Sequence, residues 1–178
     1  MNEPHDLTMT TWAATVQAAV TAIRAAGATS QMILLPGTGY TSAKGFETNS
    51  APALSTVKDS DGTVTKLIYD IHRYLDSEGS GTSTTCTENA ISDSFTTLAT
   101  YLRSNKRQAL LTETGGGNTA SCEQYLCQEL TYLNQNSDVY LGWVGWAAGS
   151  FSSSYALSEV PNGSTDVPIV SQCIAGLF

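Results

Sequence analysis

QALLTETGGGNTASCEQYLCQELTYLNQNSDVYLGWVGWAAG, residues 108–149, contains two short apolar runs separated by a helical pattern. Gln108 to Thr112 stops at Glu113, just before three glycines, and Val139 to Trp146 stops at Ala147-Ala148-Gly149. Between them the spacing predicts a helix over about 121–135. A buried parallel strand is apolar on both faces, and two parallel strands need a long connection, so this stretch predicts a strand–helix–strand unit.

The alternation extends outward in both directions. A helix is predicted over about 92–104, after loop residues that include Cys86, and a strand over 66–74, after a turn at 59–62. Upstream, Gly/Ser/Thr/Asn-rich sequence with a short helical pattern runs to about Ser55. Gln31 to Leu35 predicts a strand closed by Pro36-Gly37. Before it, Trp12, Val16, Ala19, Val20 and Ile23 fall at helical spacing over about 10–26, with Gly27 as the stop. A last short helix is expected over about 167–175. Strands alternating with helices specify an α/β fold with parallel strands. Met1 to Asp6 reads as the end of a further strand. A closed barrel of eight such units takes about 250 residues, so 178 residues are expected to form one partial domain, 1–178, of such a barrel.

Sixteen acidic against eight basic residues leave a net charge of −8, and no Lys/Arg cluster exists that could neutralise a phosphate backbone. Nucleic acid is therefore excluded as the expected partner. Only 13% of residues are charged, which suits neutral, hydroxyl-rich ligands. No apolar run of about 18 residues is present to span a bilayer, and no basic segment followed by an apolar stretch opens the chain. Cys86, Cys122, Cys127 and Cys173 allow three disulfide connectivities. Zinc is the rival use, but no pair has CxxC spacing and neither histidine is near a cysteine, so disulfides and an extracellular compartment are expected. Asn162-Gly163-Ser164 is a glycosylation sequon in a turn-like stretch.

Glu3 and Glu113 each fall where a strand is predicted to end, the rim on which parallel α/β barrels build their sites. Glycosidic cleavage needs a proton donor for the leaving oxygen and a second carboxylate across the sugar ring. An arbitrary glutamate is a solvated loop acid, so the pairing needs support from its surroundings. His72 and Tyr74 alternate on a strand and could simply line a barrel, and Trp143 and Trp146 could both be core. His5 and Asp6 either bond to one another or cap the following helix. Gly37 to Lys44 lacks the GK[ST] ending of a phosphate loop, the triple glycine lacks dinucleotide-fingerprint spacing, and no GxSxG elbow occurs. The triple glycine is expected to let the backbone turn tightly beside Glu113.

Four motifs in order, Asn2-Glu3-Pro4, Ile71-His72-Arg73-Tyr74, Leu111-Thr112-Glu113-Thr114-Gly115-Gly116 and Gly142-Trp143-Val144-Gly145-Trp146, resemble glycoside hydrolase family 5, and within it the fungal endoglucanases. The resemblance runs from Met1 to about Cys173. It implies a (β/α)8 TIM barrel, of which this chain carries the C-terminal portion, from the end of strand 4 through helix 8. It also implies a secreted, retaining endo-β-1,4-glucanase acting on cellulose-like β-glucan, without metal or organic cofactor. Glu3 matches the general acid/base and Glu113 the nucleophile, with carboxyl groups about 5–5.5 Å apart. Asn2 matches the residue that bonds the sugar 2-hydroxyl, His72 one that lines the site near the acid/base, and Tyr74 the hydrogen-bond donor to the nucleophile. Trp146 matches a sugar platform, with Trp143 packed. The family's order implies pairing of Cys86 with Cys122 and of Cys127 with Cys173.

The match starts at the end of the fourth barrel strand, so the earlier strands, with an arginine and a second histidine of the family site, have no counterpart here. The expectation is a partial sequence whose open strand edges favour self-association. A β-mannan-acting relative and a non-catalytic glucan-binding half-barrel are the alternative readings.

Overall fold

The computed structural model describes residues 1–149, 152 and 154–177. In chain order it forms α1 (Met9–Ala25), β1 (Ile33–Pro36), α2 (Phe46–Asn49), α3 (Ala51–Leu54), β2 (Leu67–His72), α4 (Thr96–Asn105), β3 (Ala109–Thr114), α5 (Ala120–Gln135) and β4 (Tyr140–Gly145). A π-helical turn, Ile91–Phe95, leads into α4, and the chain ends in a π turn, Val170–Ile174, and a 3-10 turn, Ala175–Leu177. The four strands form one parallel sheet in the order β1-β2-β3-β4, so each strand pairs with the next after a crossover.

Helices cover the sheet face that carries Leu35, Tyr69, Ile71, Leu111 and Tyr140, and these pack with Phe46, Leu54, Phe95, Leu98, Leu126 and Leu130. The polar ends of the buried aromatics are satisfied. Tyr140 donates its hydroxyl to the Phe95 carbonyl at 2.7 Å and Tyr69 to the Ala51 carbonyl at 3.5 Å, while the Arg107 guanidinium lies 4.3 Å over the Tyr69 ring. Arg24 on α1 makes a buried, two-pronged contact with Asp59, which fixes the turn before β2. Its hydrogen bonds hold the Asp59 carboxyl down at about 2. β1 and β4 each have one open edge among the described residues. Leu34, Leu141 and Val144 on these two strands stay exposed.

One expectation is corrected. Residues 1–8 form no strand, because no strand lies beside them to complete a ladder. Instead Tyr40 N–H donates to the Pro4 carbonyl, the His5 ring stacks on Tyr40 at 4.7 Å, and Leu7 N–H reaches Thr38 Oγ1. The last short helix expected over about 167–175 is present: residues 168–169 are α-helical and continue into the π turn Val170–Ile174 and the 3-10 turn Ala175–Leu177. Its own backbone hydrogen bonds run through it, from Ser171 N–H to the Val167 carbonyl and from Ala175 N–H to the Val170 carbonyl, and a Cys127–Cys173 disulfide ties it to α5. No helix is long and apolar enough to cross a membrane among the described residues.

Candidate active site

Glu113 is the penultimate residue of β3 and His72 the last of β2. The register between these strands slips at Ile71/His72, so that Ile71 pairs with Leu111 but His72 pairs with Glu113. This irregularity re-aims the strand end, as bulges do, and sets the imidazole beside the carboxylate instead of beside Thr112. Arg73 N–H continues the ladder to the Glu113 carbonyl at 3.0 Å. Tyr74, one residue further, donates its hydroxyl to Glu113 Oε2 at 2.9 Å.

Glu3 arrives from the irregular N-terminal segment with a left-handed backbone, φ 44. Its Oε1 lies 2.9 Å from His72 Nδ1, which is 3.6 Å from Glu113 Oε2. One carboxylate oxygen from each glutamate and a nitrogen of His72 all lie within 4.8 Å of one another. Retaining glycosidases hold two carboxyl groups about 5–5.5 Å apart, and two carboxylate oxygens no more than 4.8 Å from one another are compatible with that spacing. The two acids differ in setting, with 36% of the Glu3 side chain exposed against 13% for Glu113. Burial pushes the Tyr74 hydroxyl up, and the nearby Glu113 charge pushes it further, so it stays a proton donor to that carboxylate. Asn2 is exposed beside Glu3 and hydrogen-bonds to none of the four.

Two loops complete a cleft of about 540 Å³ lined by Glu3, Tyr40, His72, Tyr74, Glu78 and Ser80. The loop after β2 folds around Asp76, which is buried and accepts backbone N–H groups from Ser80, Gly81, Thr82 and Ser83 at 2.8–3.3 Å. Burial pushes this carboxyl up, but the four donors together outweigh it and hold it below its ordinary value. The loop lies so close on Tyr74 that a Cβ at Gly81 would come within 2.7 Å of the ring. A larger groove, about 630 Å³, lies at the opposite ends of the strands among Lys58, Arg103, Lys106 and Asp138, and it has no facing pair of acids.

Trp146 follows β4 directly, 36% exposed, and its N–H donates to the Thr114 carbonyl at 2.7 Å. Trp143 packs against the core and donates Nε1–H to Asn134. The triple glycine corrects another expectation. None of Gly115, Gly116 and Gly117 has a positive φ, so tight turning is not what requires glycine there. Space requires it. A Cβ at Gly115 would sit 2.5 Å from the Trp146 carbonyl oxygen, and one at Gly116 would meet the sulfurs of Cys122 and Cys86. Those two cysteines form a disulfide directly behind the loop that follows Glu113.

Several residues of the site carry no local sequence signal. Tyr155 lies in the long polar loop after β4. Burial raises its hydroxyl above the ordinary value, a hydrogen bond with Trp146 opposes this, and the charges of Glu113 and Glu159 add to it. Glu159 packs its carboxylate against Gly145, and burial lifts it to about 7. Asp70 stands behind His72, its Oδ1 3.9 Å from Nε2, and takes a hydrogen bond from Thr112 Oγ1. Buried Arg73 pairs with Glu88 and Asp93 on the far side of β2, and Lys44 joins Asp93 at 2.8 Å. Only the register slip and the packing of distant loops bring these groups to the site.

Residues 1–149 match the family model described as cellulase, glycosyl hydrolase family 5. The chain is 61% identical over 180 residues to Endoglucanase EG-II of Hypocrea jecorina, covering 98% of this chain and 43% of that protein. The crystal structure of Cel5A (EG2) from Hypocrea jecorina superposes with a TM-score of 0.94 at 60% identity, over 97% of this chain and 54% of that one. Pseudomonas stutzeri endoglucanase Cel5A, solved in complex with cellobiose, superposes with a TM-score of 0.74 at 27% identity, over 97% of this chain and 51% of that one. The chain thus spans about half the length of the relatives it matches, and its parallel sheet is part of a (β/α)8 barrel. With residues 1–149 matched by the family model and 98% of its length aligned at 61% identity to a relative, the chain belongs to glycosyl hydrolase family 5, the cellulase family.

Proposed function

We propose that this chain carries the catalytic carboxylates of a secreted, retaining endo-β-1,4-glucanase that cleaves internal bonds of a cellulose-like β-glucan. The observation that carries the reading is the bridging of Glu3 and Glu113 by His72, with Tyr74 donating to Glu113 alone. A nucleophile must be ionised. The Tyr74 hydroxyl, bonded to Glu113 and not to Glu3, supports Glu113 as the group that attacks the anomeric carbon. Glu3, nearer solvent and against an imidazole, protonates the leaving oxygen and then deprotonates the water that releases the sugar. Trp146 at the rim offers an aromatic face to a pyranose ring, and Asn2 stands ready for its 2-hydroxyl. Two disulfides suit an oxidising, extracellular setting.

The test is hydrolysis of carboxymethyl-cellulose by the purified chain, with Glu113→Gln as the control. Activity that disappears in Glu113→Gln supports the assignment, and activity that persists would refute it. The half-length match favours a second reading, binding without turnover. Retention on cellulose by a folded but inactive sample would select it.

The isolated chain also presents open edges on β1 and β4 flanked by Leu34, Leu141 and Val144. Such edges template association, and self-association is part of this proposal.

A further inference from the structure

The cluster that suits glycoside cleavage also has the composition and spacing of a metal site. We propose that Glu3, His72 and Glu113 bind a late first-row divalent cation, with Zn²⁺ as the reference ion. Each residue offers one ligand atom, and the three lie within 4.8 Å of one another. Tetrahedral zinc with bonds of about 2.0–2.2 Å needs its ligand atoms about 3.4 Å apart. His72 Nδ1 stands 2.9 Å from Glu3 Oε1 and 3.6 Å from Glu113 Oε2, one on either side of that value. The remaining edge, between Glu3 and Glu113, is no longer than 4.8 Å and has to shorten on binding, and Glu3 is the most exposed of the three.

The surroundings supply what a bare acidic pair lacks. His72 is buried and presents Nδ1 to both carboxylates, while Nε2 faces Asp70 Oδ1 at 3.9 Å. At that distance Asp70 does not hydrogen-bond the ring, so burial of the imidazole is what holds its orientation. The imidazole selects zinc or copper over calcium and magnesium, which prefer all-oxygen sites. Three protein ligands leave one position for water, and the cleft of about 540 Å³ provides entry. Metal and glycoside would use the same carboxylate oxygens, so the bound ion is a reversible inhibitor. That consequence rests on the glycosidase reading, whereas binding itself does not.

The chain suits a clean test, because all four cysteines are in disulfides and the only other histidine, His5, pairs with exposed Asp6. Zn²⁺ is titrated calorimetrically into the chain and into Glu113→Gln, His72→Ala and His5→Ala, with circular dichroism to confirm folding. The expected result is one ion bound by the parent and by His5→Ala with the same affinity, and affinity lowered about tenfold or more in the other two. Glu113→Gln preserves shape, so it decides the matter even where His72→Ala does not fold. Absence of binding, unchanged affinity in Glu113→Gln, or loss in His5→Ala would overturn the site. Ca²⁺ bound as tightly as Zn²⁺ would overturn the role of the imidazole. No hydrolysis is measured, so failure here leaves the glycosidase assignment standing.

Discussion

Tyr74 donates its hydroxyl to Glu113 Oε2 at 2.9 Å, joining the chain just past β2 to the end of β3 across 39 residues of sequence. A hydrogen bond to an ionised acceptor contributes about 1.5–3 kcal/mol. Tyr74→Phe removes it without changing ring packing. On the proposed reading, kcat/KM on a soluble β-glucan falls about tenfold to a hundredfold, and the melting temperature falls by roughly 3–12 °C. Steady-state kinetics beside a thermal melt checks both.

Asp76 holds the loop that presses on Tyr74, so its removal is expected to act on the site indirectly. Asp76→Ala leaves four backbone N–H groups without their acceptor. Amide hydrogen exchange should accelerate at residues 80–83 while the β3 amides stay protected. Equal protection of that loop in both proteins would show that Asp76 does not hold it.

Glu129 on α5 is fully buried and accepts the Thr114 hydroxyl at 3.0 Å, and burial lifts it from an ordinary 4.5 to about 8. The folded state therefore keeps a proton that the unfolded chain releases between those values. Stability falls as pH rises from about 4.5 to about 8. Glu129→Gln retains an acceptor for Thr114 and removes the titration. The variant should match the parent near pH 4 and exceed it at pH 8 by on the order of a few kcal/mol, as denaturant melts at the two pH values would show.

The Cys86–Cys122 bridge closes 36 residues around the loops flanking Glu113. Loop entropy of that size contributes about 3–4 kcal/mol. Replacing both cysteines by serine should lower the melting temperature markedly in differential scanning calorimetry. An unchanged melting temperature would show that packing alone holds these loops.

Gly115→Ala places a methyl group 2.5 Å from the Trp146 carbonyl oxygen, against backbone that cannot yield cheaply. Such overpacking costs about 1–3 kcal/mol. The variant should melt earlier and shift the Trp146 fluorescence, whereas Gly176→Ala, which meets nothing, should do neither.

Hydrophobic periodicity and breaker residues were sufficient for α1, α4, α5, all four strands and the α/β class, because these depend on side chains a few residues apart along the chain. Glu3 and Glu113 stood out through the motifs around them, and the even cysteine count pointed to disulfides. The register slip that aligns His72 with Glu113 was not legible, nor were the roles of Asp70, Asp76, Glu129 and Tyr155. Each depends on a partner brought near by the sheet or by a loop, and an isolated Asp, Glu or Tyr reads the same whether buried or solvated. Met1 to Asp6 has the composition of a strand end yet forms none, because a strand exists only where a neighbour completes its hydrogen bonds. Local chemistry along the chain thus determined the elements and marked the acids. Tertiary packing alone decided the distances between those acids and the groups that hold them, because those contacts join residues as far apart as Glu3 and Glu113.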